Sequence, residues 1–344
     1  MISIEFIVTI ATLAFVFAMA AQLLNLEAAW GGMWDLGIAG LIGVGAYSYV
    51  LLTTAPDASV PGLGLSWPLG MLGAGVITAL VAILIGWPAL RLRGEYFLIV
   101  TFAFAEILRQ LIVIQRDITG GTFGLTTIVK PWEMTFTIEG YPYVRLALTI
   151  VLTAVVWLIC SRMATSTYGA SLRAARDNEP LALAMGKRIK SLRLSTYATV
   201  GLMCGLFVGP AYAWMLGALV PSVFGSHLTF TLWAGLVIGG LGSRFGPIVG
   251  ALLLTGVSEM VRLVHVPPEL SNLHAAAHPM LVGLLLIAVL RWRPDGLLSE
   301  GGTFARLRRR YARPTPSSNS GGKADQETGS TPILTGSAHE HNSA

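Results

Sequence analysis

Two acid–base pairs stand out in a chain with few charges. Glu106 and Arg109 are three residues apart, and so are Glu259 and Arg262. On a helix this spacing puts acid and base on one face, where each offsets the other's charge. Such a pair can meet a zwitterionic solute or a docked protein at the mouth of a path. It can equally hold a helix in register while its ends snorkel to water. Asp35 precedes Gly37, Gly40 and Gly43, which share one helical face. Bare backbone there allows close helix packing, or lets carbonyls and amides border a solute path. Asp35 then reads as a polar site at one end of that path or as a helix N-cap. His274 and His278 lie four apart, but no Cys or acid nearby completes a metal set. Ser258, in GVSE, lacks the Gly-x-Ser-x-Gly elbow of a serine hydrolase.

The third feature is the stretch YGASLRAARDNEPLALAMGKRIK, Tyr168–Lys190, with Arg173, Arg176, Lys187, Arg188 and Lys190. Ser171–Arg176 predicts one short helix. Asp177 and Asn178 are good N-caps for a second, and Pro180 suits its first turn. Gly186 supplies a left-handed stop after Met185. Pro180 to Met185 thus forms a brief helix with an apolar ridge that includes Ala182, flanked by positive charge. That pattern fits a helix lying on lipid headgroups, and it fits a helix that docks into a cleft on another protein.

The elements that must position these residues follow from composition. Of 344 residues 54% are hydrophobic and only 12% charged, with a mean hydropathy of +0.67. A soluble domain of this size needs far more charge to cover its surface. Apolar runs of about 20 residues, the length that crosses a bilayer as helix, recur along the first 300 positions. They predict an all-α polytopic membrane protein with nine spans, at 4–26, 33–54, 67–90, 95–115, 143–163, 194–217, 226–242, 245–264 and 274–292. The membrane domain covers 1–300, with its polar loop at 164–193, and 301–344 reads as a disordered tail. Residues 2–26 lack a basic start, so the first run is expected to stay as a span. Cys160 and Cys204 both fall in apolar runs, which excludes a disulfide framework. Trp30, Trp67, Trp132, Tyr143 and Trp292 read as interfacial anchors.

Lys and Arg set the orientation. With the loop at Arg91 inside, the inner side holds Arg91, Arg93, seven residues from Arg162 to Arg193, Arg244, and eight from Arg291 onward, against four outside. The N-terminus is then outside, the C-terminus cytoplasmic, and the basic loop is cytoplasmic. No P-loop occurs, since Gly186-Lys187 is followed by Arg188. No acid is placed deep in a span by this reading, which disfavours proton or sodium coupling.

Six stretches together resemble the branched-chain amino acid ABC transporter permeases of the LivM type. They are GGMWDLGIAGLIGVGAY (Gly31–Tyr47), LRLRGEYFLIVTFAFAEILR (Leu90–Arg109), TGGTFGL (Thr119–Leu125), YGASLRAARDNEPLALAMG (Tyr168–Gly186), GGLGSRFGPIVGALLL (Gly239–Leu254) and RWRPDGLL (Arg291–Leu298). The chain departs from the family at Met33 and Asp35, where Gln and Ser are usual, and in the more basic KRIKSLRL after Gly186. The resemblance implies a non-enzymatic permease of the bacterial inner membrane, paired with a second, LivH-like permease. It also implies two cytoplasmic ABC ATPases that use the ATP, and an external binding protein that delivers substrate. Lipid is the remaining partner, and no nucleic acid or bound cofactor is expected. On this resemblance Arg173, Arg176, Asn178, Glu179, Ala182, Met185 and Gly186 belong to an ATPase-coupling segment. Cargo alternatives are branched-chain amino acids and urea or short amides, and an ion-coupled secondary transporter is a third class. The recurrence of Glu-x-x-Arg four spans apart hints at a weak internal repeat.

The charge asymmetry makes a direct prediction. In a variant without native cysteines, a cysteine at Lys187 should resist an impermeant thiol reagent added to intact cells, and one at Asp57 should react. Reaction at position 187 would reverse the topology.

Overall fold

The computed structural model describes residues 4–56, 61–92, 94–133, 136, 140–262, 271–293 and 296–298. Among them the chain is helical, with an isolated antiparallel bridge between Leu125 and Leu219. Five long apolar helices reach spanning length: α1 (Ile4–Asn25, extended by a π-helical turn Leu26–Trp30), α3 (Trp67–Ala89), α4 (Glu95–Ile114), α6 (Tyr141–Thr165) and α9 (Ile189–Met203). The last runs through a second π turn, Cys204–Val208, into α10 (Gly209–Leu216). Shorter apolar helices are α2 (Ile38–Thr53), α11 (Ser226–Gly239), α12 (Gly246–Arg262) and α13 (Ser271–Trp292). The small helices α5 (Arg116–Thr119), α7 (Thr167–Asp177) and α8 (Glu179–Ala184) lie in loops. This is a multi-pass, all-helical membrane protein.

Helix α1 is the central post, packed along α6 and α12 and touching α10 and α11. Every residue from Ala18 to Trp30 is buried, including Gln22, Asn25 and Glu27. Around it α2 packs on α3, α3 on α9, and α11 on α12. Small residues permit these approaches, because lipid gives helices no hydrophobic reason to associate and contact must come from close packing. Where α2, α3 and the second π turn meet, a Cβ on Gly205 would lie 2.3 Å from the Ala74 carbonyl oxygen.

Two loops fold back into the bundle. Leu125 and Leu219 exchange backbone hydrogen bonds of 2.9 and 2.8 Å, and the Tyr47 hydroxyl donates to Leu219 O at 3.0 Å. Gly124 has φ +73, and a side chain there would strike the Leu219 carbonyl, so the TGGTFGL glycines serve this junction. The chain then makes a 3-10 turn, Pro221–Phe224, inside the protein before α11 begins. With 14 residues α11 rises about 21 Å, less than a bilayer core of about 30 Å.

Three expectations shift. The first span reaches Trp30, not residue 26, and the second begins at Ile38, because Gly31–Gly37 leaves helical geometry. Trp30 is buried rather than interfacial, whereas Trp67 and Trp132 meet edge to face at 5.0 Å. The tail 301–344 lies outside the described residues.

The packing at Gly205 can be measured. Gly205→Ala should lower the melting temperature of the detergent-purified protein, with an overpacking cost of about 1–3 kcal/mol. Gly256, whose Cβ would meet nothing within 4 Å, should accept Ala without change.

Candidate functional site

The basic loop folds as two helices with defined ends. The Ser166 hydroxyl caps α7 by accepting from the Gly169 amide at 3.4 Å, and Asn178 Oδ1 caps α8 by accepting from Leu181 N at 3.1 Å. After α8 the Gly186 amide donates to Leu183 O at 2.9 Å and Lys187 N to Ala182 O at 3.1 Å, while Gly186 takes φ +77. This is the left-handed helix stop expected of glycine. Leu181, Leu183 and Met185 stand 57%, 54% and 70% exposed. Ala182 is only 2% exposed and packs on Ala175 and Ile189, so the ridge is made by its neighbours and Ala182 closes the loop's own small core. Glu179 pairs with Arg193 at 3.2 Å, which fastens α8 to α9.

Both arginines are turned inward rather than held out. Arg173 donates to Ala164 O at 2.7 Å. Arg176 donates to Ala29 O in the π turn of α1 and forms an ion pair with Asp177 at 2.7 Å. Its Cγ lies over Gly32, where a Cβ would approach to 2.6 Å. Gly32 has φ +64, so glycine is needed there on two grounds. Between this turn, α8 and the start of α4 runs a cleft of about 450 Å³ bordered by Gly32, Trp34, Phe97, Glu179, Leu183 and Arg193.

Above the cleft the irregular segment Gly31–Gly37 is held by its neighbours. Asp35 is fully buried; its Oδ1 accepts from Gly37 N at 2.7 Å, and its carbonyl accepts from Trp233 Nε1 at 2.8 Å. Gly37 is the residue at the N-cap of α2, so the Asp35 carboxylate supports that end from two positions upstream. Trp34 stacks on Trp233 at 5.3 Å. Glu27 is also fully buried, and neither of its carboxylate oxygens meets a hydrogen-bond partner. Glu27 stands three residues from the end of the first span, in the same turn as the Ala29 carbonyl that Arg176 bonds, so it is buried in the protein but not in the middle of a span. Glu27 escaped notice because the hydrophobic run was ended at residue 26; the apolar AAW that follows it was the available signal.

The glycine face is filled by protein. Cβ atoms on Gly37 and Gly40 would meet Thr101 O and Ala105 Cα of α4, both at 2.8 Å, and one on Gly43 would meet the Phe224 ring at 3.1 Å. Glu106 and Arg109 form the spaced ion pair, with a bond of 2.9 Å from Arg109 Nε, and Gln110 adds a 3.2 Å contact to Glu106. The pair lies on the outward face of α4 and is not brought near Asp35. Glu259 is half-buried on α12. The Arg262 side chain falls outside the described residues, so its pairing belongs to the sequence alone.

The family described as branched-chain amino acid transport system, permease component, matches residues 6–290. The chain belongs to this family. Among relatives, the permease is 30% identical over 313 residues to the high-affinity branched-chain amino acid transport system permease protein LivM of Escherichia coli K12, covering 85% of this chain and 69% of that one. It is 25% identical over 302 residues to a probable LivM of Methanocaldococcus jannaschii, covering 83% and 85%. It is also 31% identical over 180 residues to the autoinducer 2 import system permease LsrC of Escherichia coli O157:H7, about half of each chain. No solved structure matches the permease.

The Arg176 contact predicts linked flexibility. Arg176→Ala should raise hydrogen–deuterium exchange in Thr167–Asp177 and in Leu26–Trp30 together, although the sites are 147 positions apart. A rise confined to α7 would show that the contact does not restrain the π turn.

Proposed function

We propose that this permease is one of two membrane subunits of an ATP-driven importer in the inner membrane, moving branched-chain amino acids delivered by an external binding protein. Its N-terminus is outside and its C-terminus cytoplasmic, so α7 and α8 face the cytoplasm. There they dock onto one of two ABC ATPases, which use the ATP; this chain holds no cofactor. The second membrane subunit is a related, LivH-like permease. The observation that carries the docking role is the exposed ridge Leu181, Leu183 and Met185 on a helix capped at both ends and fastened at its flank. A helix that merely floats on headgroups has no need of such rigid attachment. Arg173 and Arg176 then act as positioning residues, since their guanidinium groups are used within the chain.

Family membership weighs against ion coupling. The LivM relatives favour branched-chain amino acids over urea or short amides as cargo, and the LsrC relative is a permease of a different import system. Glu106 with Arg109, and Glu259 with Arg262, remain candidates for the outer mouth, whereas the enclosure of Asp35, Gly37, Gly40 and Gly43 favours the packing reading for them.

The docking role is tested at Leu181. Leu181→Glu would bury an unpaired charge in the ATPase contact, costing about 3–5 kcal/mol. Uptake should fall more than a hundredfold and the ATPases should no longer co-purify, while membrane insertion and expression stay normal. Stoichiometric co-purification with wild-type uptake would sink the docking role.

A further inference from the structure

The part of the bundle farther from α7 and α8 holds a second cavity, of about 370 Å³, between α1, α10, α11, α12 and the turn Pro221–Phe224. That is toward the lower end of small-molecule pockets, about 300–1,000 Å³. Thr255 and Ser258 of α12 line it and are 3% and 7% exposed. Threonines elsewhere in the spans, such as Thr12, Thr78 and Thr149, turn their hydroxyls back to the carbonyl four residues earlier. Those of Thr255 and Ser258 do not, and neither meets a hydrogen-bond partner. Buried hydroxyls left this way call for a partner from outside the chain.

The rest of the lining is asymmetric. Glu259 follows Ser258 on the same helix and brings a carboxylate to the cavity. The first turn of α11 borders it through His227 and Leu228, and no side chain caps that helix N-terminus. Its uncapped amides carry partial positive charge, which favours an anion. The facing wall is apolar, with Leu13 and Phe17 from α1 and Val223 beside them. Ser258 stands twelve residues along α12 from Gly246, a rise of about 18 Å in a core of about 30 Å. The cavity therefore lies well along α12 from its start, against the first turn of α11.

We propose that this cavity is a binding site for a single zwitterionic amino acid with an apolar side chain. The solute's ammonium group meets the Glu259 carboxylate. Its carboxylate lies at the N-terminus of α11 and accepts from the Thr255 and Ser258 hydroxyls, while the side chain rests on Leu13, Phe17 and Leu228. A lipid chain would leave both hydroxyls unmatched. The inference rests on the import reading above and adds the place where this chain holds the solute.

The test uses the full-length protein in nanodiscs and a leucine analogue with a diazirine in its side chain. Irradiation should label the Leu13–Phe17 and Leu228 peptides. Excess leucine should remove the label and excess glutamate should not. Ser258→Leu, which fills the cavity, should cut that label at least tenfold, and Ser258→Ala should weaken it about threefold without disturbing the fold. Leucine uptake by the wild-type importer with no leucine-sensitive label in these peptides would overturn the site and leave the import reading standing. Absence of both uptake and label would overturn both. Wild-type uptake by a folded Ser258→Leu variant would likewise exclude the cavity from the path.

Discussion

A peptide group inside a bilayer has no water to turn to, so each interruption of a helix there must be satisfied by the protein itself. This chain interrupts its helices repeatedly, and the rest of the structure is arranged around those breaks. At the turn between α11 and α12, Gln22 donates to Arg244 O at 2.7 Å and Asn25 to Ser243 O at 2.9 Å, while Asn25 Oδ1 accepts from Gly242 N at 2.8 Å. At the break before α2, Trp233 donates to Asp35 O, Thr229 to Leu36 O, and the Leu36 amide to Thr101. At the two loops that fold back, Tyr47 and Tyr49 donate to Leu219 O and Val129 O. Several polar residues of the spans thus cap broken backbone in other segments, and this use explains why α1 carries Gln22 and Asn25 on its most buried stretch.

The same arrangement joins the loop helices to the membrane core by short, stiff contacts. Arg176 bonds the π turn of α1, Arg173 bonds the end of α6, and the Tyr168 hydroxyl reaches Thr196 of α9 at 2.7 Å. The Glu179–Arg193 pair adds a link from α8. A displacement of α8 is therefore imposed on α1, α6 and α9 together. The link to α1 is made at the π turn Leu26–Trp30, a helix form that is rare and often found at functional sites. Glu27 lies in that same turn, fully buried and without a hydrogen-bond partner. A carboxyl in such a position is costly and marks a place where the protein holds polarity for a reason other than stability.

Much of the fold was legible from sequence, because hydrocarbon imposes a length and polarity rule that acts residue by residue. Runs of apolar residues long enough to span, the bias of Lys and Arg, and the capping pattern Asn178, Pro180 and Gly186 are local properties, and the helices they imply are present. The ends of the first two spans were misplaced because hydropathy averages over a window and cannot register a π turn or a helix begun late at Ile38.

What the sequence by itself determined was the class of protein, the span pattern, the two capped loop helices and the family, all set by short-range composition and spacing. Only the tertiary structure decided which way those residues face. It turned Ala182 into the loop core and left Leu181 and Met185 outside, bound Arg173 and Arg176 to backbone carbonyls, and filled the glycine face with α4 and Phe224. It also gathered Leu13, Phe17, His227, Thr255, Ser258 and Glu259 around one cavity. α1 lies some two hundred residues from α11 and α12, and no spacing rule links it to them, because their proximity is a consequence of how helices pack and not of any local preference.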